Sequence, residues 1–165
     1  MGNILASKMD AAYVVTGHNA ATVTNALAHQ CVITIHNEKY NDGMGSSLAA
    51  GVKALTNEPV YAMICLADMP FIRADTYLKL AQAAQNAPDG SILVPTFHGK
   101  RGHPVLWHQR YFTDLSGLSG DMGGKEIMQA NAEFIIEVAV DDPGILIDLD
   151  TPEMLAQFGI TLIDQ

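Results

Sequence analysis

Charge is scarce in this 165-residue chain, and positive charge is the scarcer sign: nine Lys and Arg against 18 Asp and Glu, for a formal net charge of −9. No Lys/Arg cluster rises above that acidic background, so a surface that wraps nucleic acid is not expected. Nucleotides, which arrive with a divalent cation, are not excluded. No apolar run reaches the roughly 18 residues a membrane span needs, and no basic segment followed by a long apolar stretch opens the chain. Neither a membrane anchor nor a secretory signal is therefore expected. There are two cysteines, Cys31 and Cys65. Each lies in an apolar strand-like run, so both read as reduced core thiols, and a cytoplasmic location is the default. Internal repeats, low-complexity tracts and linkers are also missing. With 48% hydrophobic residues, residues 1–165 suit a single domain with a real core.

The strongest signal is Val60 to Leu66, seven mostly apolar residues without a charge, the pattern of a strand buried on both faces of a sheet. Asp68 follows, and Pro70 ends any ladder because it has no N–H to donate. A carboxylate just past a buried strand lies on the rim where open α/β sheets bind ligands, although it also suits a plain strand-ending turn. Strands and helices alternate on either side. The start, Met1 to Lys8, reads as the end of a helix. A strand at Ala11–Gly17 precedes a helix from Ala20 to His29 capped by Asn19, and Cys31–Ile35 is the next strand. A helix over Arg73–Asn86 leads to strands at Ile92–Pro95 and His103–Trp107. Beyond a helix at Glu126–Asn131 come strands at Phe134–Val140 and Ile145–Asp150. A last helix is capped by Thr151 with Pro152 at its first position, and Ile160 to Ile163 could add an edge strand. Such alternation predicts an α/β fold with a parallel sheet.

Two glycine-rich loops lead into helices: Asn41 to Ser47, and Leu118 to Lys125. At the first, free N–H groups, the hydroxyls of Ser46 and Ser47 and a positive dipole end suit a phosphate, a ribose or a base edge, or else form a turn with a serine N-cap. Lys100, Arg101 and His103 are the only local cationic group, either a handle for an anionic substrate or a solvated hairpin tip. His98, His103 and His108 lie close in sequence but lack helical His-x₃-His spacing or a Cys partner, so no zinc site is expected. Asp148 and Asp150 share one face under a period of two. If their strand ends on the same rim as Asp68, two carboxylates could hold one Mg²⁺, which keeps waters and bridges phosphates.

Five segments occur in a telling order: Gly43-Met-Gly-Ser-Ser-Leu-Ala-Ala-Gly51, Leu66-Ala-Asp-Met-Pro-Phe71, Arg101-Gly-His-Pro-Val105, Gly120-Asp-Met-Gly-Gly124 and Asp148-Leu-Asp-Thr-Pro-Glu153. Together they resemble the MobA-like nucleotidyltransferase superfamily, in particular molybdenum cofactor cytidylyltransferases, over nearly the whole chain. The resemblance implies a GT-A-like, Rossmann-related three-layer α/β sandwich with a mostly parallel central sheet. It implies transfer of CMP from CTP to the terminal phosphate of a molybdopterin-type cofactor, releasing pyrophosphate. Asp68 would be a Mg²⁺ ligand and Asp148 or Asp150 the second. Gly45, Ser46 and Ser47 would touch the base or ribose. Arg101, Gly102 and His103 would face the phosphate-bearing acceptor, with Gly120, Asp121 and Gly123 lining the same pocket.

The family's opening strand and its loop, of the form Leu-Ala-Ala-Gly-x-Ser-x-Arg-Met-Gly followed by a Lys, do not occur here. That strand would lie between those at Tyr13–Val15 and Val60–Leu66, and the loop's Arg and Lys would stabilise charge on the triphosphate. The expectation is a family domain lacking its first strand, with low activity. A nucleotidyltransferase for a sugar phosphate or other alcohol phosphate, and a non-catalytic nucleotide- or partner-binding remnant, are the alternatives. The gap in the sheet favours a homo-oligomer.

Overall fold

A computed structural model of the chain describes residues 2–6, 9–56 and 59–159. Among the described residues there are seven strands and seven short helices. The first half holds α1 (Gly2–Ala6), β1 (Tyr13–Thr16), α2 (Ala20–Ala26), β2 (Ile33–His36), α3 (Met44–Lys53), β3 (Tyr61–Ile64) and α4 (Ala74–Gln85). The second holds β4 (Ile92–Phe97), β5 (Lys100–Arg101), β6 (Val105–His108), α5 (Phe112–Ser116), α6 (Lys125–Ala130), β7 (Ile135–Ala139) and α7 (Pro152–Gln157). Strand alternation sorts the core into two layers. Leu93, Leu106 and Val138 point to one face and pack with Tyr77 and Leu80 of α4 and with Ile4 of α1. Ile92, Val94, Val105 and Trp107 point to the other and pack with Val52 of α3, Leu115 of α5 and Ile127 of α6. The result is the expected α/β sandwich of three layers. Each fully covered side chain, such as Leu80, Ile92, Leu93 and Leu115 at 0% exposure, contributes about 1.5–3 kcal/mol.

The sheet is more mixed than a mostly parallel one. β1 pairs β2 and β4 pairs β7 in parallel, but β6 runs antiparallel to both β3 and β4, and β5 is antiparallel to β4. The short turn between β4 and β5 forces this, since parallel neighbours need a longer crossover. The sheet is also broken. β1 and β2 form one piece and β3, β6, β4, β5 and β7 another, with no ladder joining β1 to β3. The break falls where the family resemblance places the absent strand. It also corrects the reading of Val60–Leu66 as doubly buried: with β6 as its one neighbour, β3 is half-buried throughout, and Val60 is 55% exposed.

Other differences are local. Cys31 is exposed and precedes β2 rather than lying in it, and Cys65 is half-buried. Burial pushes the Cys65 thiol up to about 12. Asn19 precedes α2 in the left-handed region, at φ 53°, and makes no side-chain cap. Ile145–Asp150 is not a strand; a 3₁₀ turn over Pro143–Leu146 leads into an extended segment without a ladder. Thr151 does cap α7, accepting from Met154 N at 3.2 Å. The edge strand expected at Ile160–Ile163 lies outside the described residues. One structural residue escaped the sequence reading altogether. Asp142, 1% exposed, accepts from the Arg73 amide at 2.8 Å, Thr76 Oγ1 at 2.6 Å and the Gly144 amide at 2.9 Å. It thereby supplies from a distant turn the negative charge and acceptor oxygens that the start of α4 requires.

Candidate active site

Asp68 lies four residues past β3, exposed on the loop that leads toward α4. Its carbonyl oxygen accepts a hydrogen bond from Leu149 N at 2.8 Å. That one contact, between residues 81 positions apart, brings the Asp148–Asp150 segment against the loop of Asp68. Within it, Ile147 and Leu149 are half-buried while Asp148 and Asp150 are exposed. The period of two read from the sequence therefore survives, although no ladder forms. No group of three or more His, Cys, Asp or Glu side chains among the described residues is placed to hold a metal ion. The candidate donors are the carboxylates of Asp68, Asp148 and Asp150 on two segments joined by that backbone hydrogen bond, hard ligands of the kind Mg²⁺ takes one or two at a time while keeping its waters.

His103 faces the same loop. Burial pushes its imidazole below the ordinary histidine range, and the Asp68 charge opposes that shift. Its Nδ1 is the one buried side-chain nitrogen or oxygen among the described residues without a hydrogen-bond partner. Its backbone N–H donates to Ile145 O at 3.1 Å. At Gly102 a Cβ would stand 2.2 Å from that same Ile145 oxygen, so the chain can pass there only as glycine. The other two histidines are elsewhere. His98 is exposed at the β4–β5 tip, and His108 is buried at the far end of β6, where Nε2 meets Asp89 Oδ1 at 2.9 Å.

The two glycine-rich loops meet each other. The Gly45 amide donates to Gly120 O at 2.8 Å, and a Cβ on Gly43 would lie 2.4 Å from the Gly120 carbonyl and 2.5 Å from Asp121 Oδ1. Gly43, at φ 97°, is the N-cap of α3 and no serine caps it. The hydroxyls are committed as well: Ser46 Oγ lies 2.7 Å from Lys39 O and 2.9 Å from Gly43 O. Asn37, buried after β2, donates from Nδ2 to Ser46 Oγ at 2.9 Å and Ser47 Oγ at 3.1 Å and accepts the Lys39 amide at 3.0 Å. The Gly45 amide and both serine hydroxyls thus hold the loop's own shape. Asn37 is the residue that organises it, and a polar side chain directly after a strand was its only signal in the sequence.

Arg101, Gly102 and His103 line an open cavity of about 550 Å³ bordered by α6, within the range of small-molecule sites. Gly120, Asp121 and Gly123 are not on that wall. Close backbone contact with the first loop holds Gly120 and Asp121 away from it, and Gly123 sits against Met44 Cε. The second loop reaches the cavity through Lys125, which begins α6.

Comparison with known proteins shows the family of the chain. The chain is 27% identical over 141 residues to the molybdenum cofactor cytidylyltransferase of Escherichia coli, covering 85% of this chain and 69% of that protein. It is 32% identical over 115 residues to the purine catabolism protein PucB of Bacillus subtilis, covering 67% of this chain but about half, 53%, of that one. Among solved structures it resembles the manganese complex of Rv0371c from Mycobacterium tuberculosis, with a TM-score of 0.79 at 19% identity over 94% of this chain and 80% of the other. Residues 2–134 match the MobA-like NTP transferase domain, and the chain belongs to that family.

Proposed function

We propose that this chain binds CTP at the Asp68 rim and directs its CMP group to an anionic, phosphate-bearing acceptor of the molybdopterin type, releasing pyrophosphate. The observation that carries the reading is the Leu149 N to Asp68 O hydrogen bond of 2.8 Å, which sets Asp148 and Asp150 beside Asp68. Asp68 with Asp148 or Asp150 would hold a Mg²⁺ ion, which when bound neutralises charge on the phosphate oxygens. A terminal phosphate oxygen of the acceptor attacks the α-phosphorus, and the bond to the pyrophosphate oxygen breaks. The chain's own part is to hold the two substrates in line and to keep the acceptor in the cavity beside Arg101 and His103. Similarity to a cytidylyltransferase supports CTP and the pterin-type acceptor. A sugar phosphate or other alcohol phosphate is the runner-up acceptor.

The broken sheet favours the second reading, a nucleotide-binding member that does not catalyse. The same break leaves one edge each of β1 and β3 without a partner strand among the described residues, so we infer self-association, seen by light scattering as a mass above the monomer's. No helix among the described residues is long and apolar enough to cross a membrane, and both cysteines are free; a cytoplasmic home fits. Calorimetric titration with CTP, GTP and ATP, with and without Mg²⁺, tests the site. The expected result is Mg²⁺-dependent binding that prefers CTP and disappears in Asp68→Ala. A folded chain that binds no nucleotide refutes it.

A further inference from the structure

The cavity beside Arg101 has a floor and a wall of different character. The floor is the sheet: Val94, Val105 and Ile135 present their side chains on the face that α6 covers. The wall is α6, where Lys125, Met128 and Gln129 stand at i, i+3 and i+4 and so share one side of the helix. Flat heteroaromatic rings fit such a lining, their faces on the apolar side chains and a ring nitrogen or oxygen at the Gln129 amide.

The two cations at the cavity differ in availability. Arg101 Nε lies 2.8 Å from Glu137 Oε1, with both side chains about half exposed. Glu137 stands two residues after Ile135 on the same strand face. The guanidinium is therefore already paired, and the carboxylate beside it repels an incoming anion. Lys125 is exposed and makes no ion pair with any described residue. It is the uncommitted positive charge on a cavity whose other lining residues are mostly apolar.

We propose that Lys125 captures the anionic group of the acceptor in this cavity, that Glu137 restrains Arg101 from doing so, and that the ligand is a flat heteroaromatic ring system bearing one phosphate or carboxylate. The inference rests on the reading that this cavity receives the acceptor, and it adds a specificity residue that the glycine-loop pattern did not single out. It makes two mutations move in opposite directions. Removing the Lys125 charge weakens anion binding, while neutralising Glu137 frees Arg101 and strengthens it. A merely structural role for either residue gives no such opposition.

The probe is pterin-6-carboxylate, followed by its own fluorescence in metal-free buffer without nucleotide, with uncharged pterin as the comparison. The wild-type chain should bind the carboxylate more tightly than pterin. Lys125→Ala should raise the Kd for the carboxylate about tenfold and leave that for pterin unchanged. Lys125→Arg should restore most of the loss, and Glu137→Gln should lower the Kd about threefold. Lys79→Ala, on exposed α4 surface across the sheet, is the control for general charge effects. No saturable binding by the wild type, a carboxylate Kd in Lys125→Ala equal to that of the wild type, or weaker binding in Glu137→Gln overturns the proposal. The nucleotide titration at Asp68 fails separately. Lys125-dependent probe binding without CTP binding defeats the nucleotide reading and leaves this one, and the converse defeats this one alone.

Discussion

Replacing Gly45 by alanine tests whether the two glycine-rich loops are one structural unit. A Cβ at Gly45 would stand 2.6 Å from Met122 O and 3.0 Å from both Gly120 O and Ser119 O. All three are backbone atoms, so no side chain can swing aside. Reaching ordinary contact at 3.4 Å requires the loops to part by about 0.8 Å, the difference from 2.6 Å. That movement strains the Gly45 N to Gly120 O hydrogen bond of 2.8 Å. Overpacking costs about 1–3 kcal/mol and the lost bond about 0.5–1.5 kcal/mol, against a gain of at most about 1 kcal/mol in helix propensity. The net expectation is a loss of about 2 kcal/mol in urea unfolding. Trp107, the single tryptophan, is a local reporter: a Cβ on Gly124 would lie 2.5 Å from its Cζ2, so the second loop rests on the indole. Its emission should therefore shift in folded Gly45→Ala, although the substitution is in the other loop. Gly51→Ala is the contrasting case on the same helix. There the nearest atom is a side-chain methyl, Val15 Cγ2 at 3.0 Å, which can give way, so stability should change little or rise by about 0.5 kcal/mol. Gly45→Ala unfolding at the wild-type urea midpoint, with unchanged Trp107 emission, would show that the loops are not coupled.

Two further outcomes follow from buried polar groups. Asp142→Ala leaves the Arg73 and Gly144 amides and the Thr76 hydroxyl without their common acceptor; urea unfolding should show a loss of about 3–4 kcal/mol, and about half that for Asp142→Asn. A loss under about 1 kcal/mol contradicts the view of Asp142 as the fastening of α4. The His103 imidazole is pushed below its ordinary value chiefly by burial, so the unfolded chain takes up a proton before the folded one does. The stability this neutral histidine contributes is complete above about pH 6.5 and is lost as pH falls below it toward the depressed folded value. In metal-free buffer the urea midpoint should drop between pH 7.5 and pH 5.5, and His103→Gln should flatten that slope. An equal slope in the variant places the titration elsewhere.

The layers of the fold were legible because strand and helix periods are local: Ile92 and Leu93 point to opposite faces by chain geometry alone, and α4 repeats its apolar residues at helical spacing. The carboxylates at Asp68, Asp148 and Asp150 and the cations near Arg101 were legible for a similar reason, since chemistry-bearing residues stand out at the ends of apolar runs. Burial was less so. Val60 to Leu66 reads as doubly buried, yet how many neighbours a strand receives depends on the rest of the sheet, and among the described residues one edge has none.

What only the tertiary structure decided was partnership. Nothing near Asp68 in the sequence announces Leu149, nothing near Thr76 announces Asp142, and the amide and hydroxyls of Gly45 to Ser47 looked free until Gly120 and Asn37 were seen to occupy them. A residue's type and spacing determine what it can bind. Whether that capacity is left for a ligand depends on which distant backbone or side chain folding brings against it first. Among the described residues Asp68 and Lys125 make no ion pair, while the serines of the first loop are hydrogen-bonded within it.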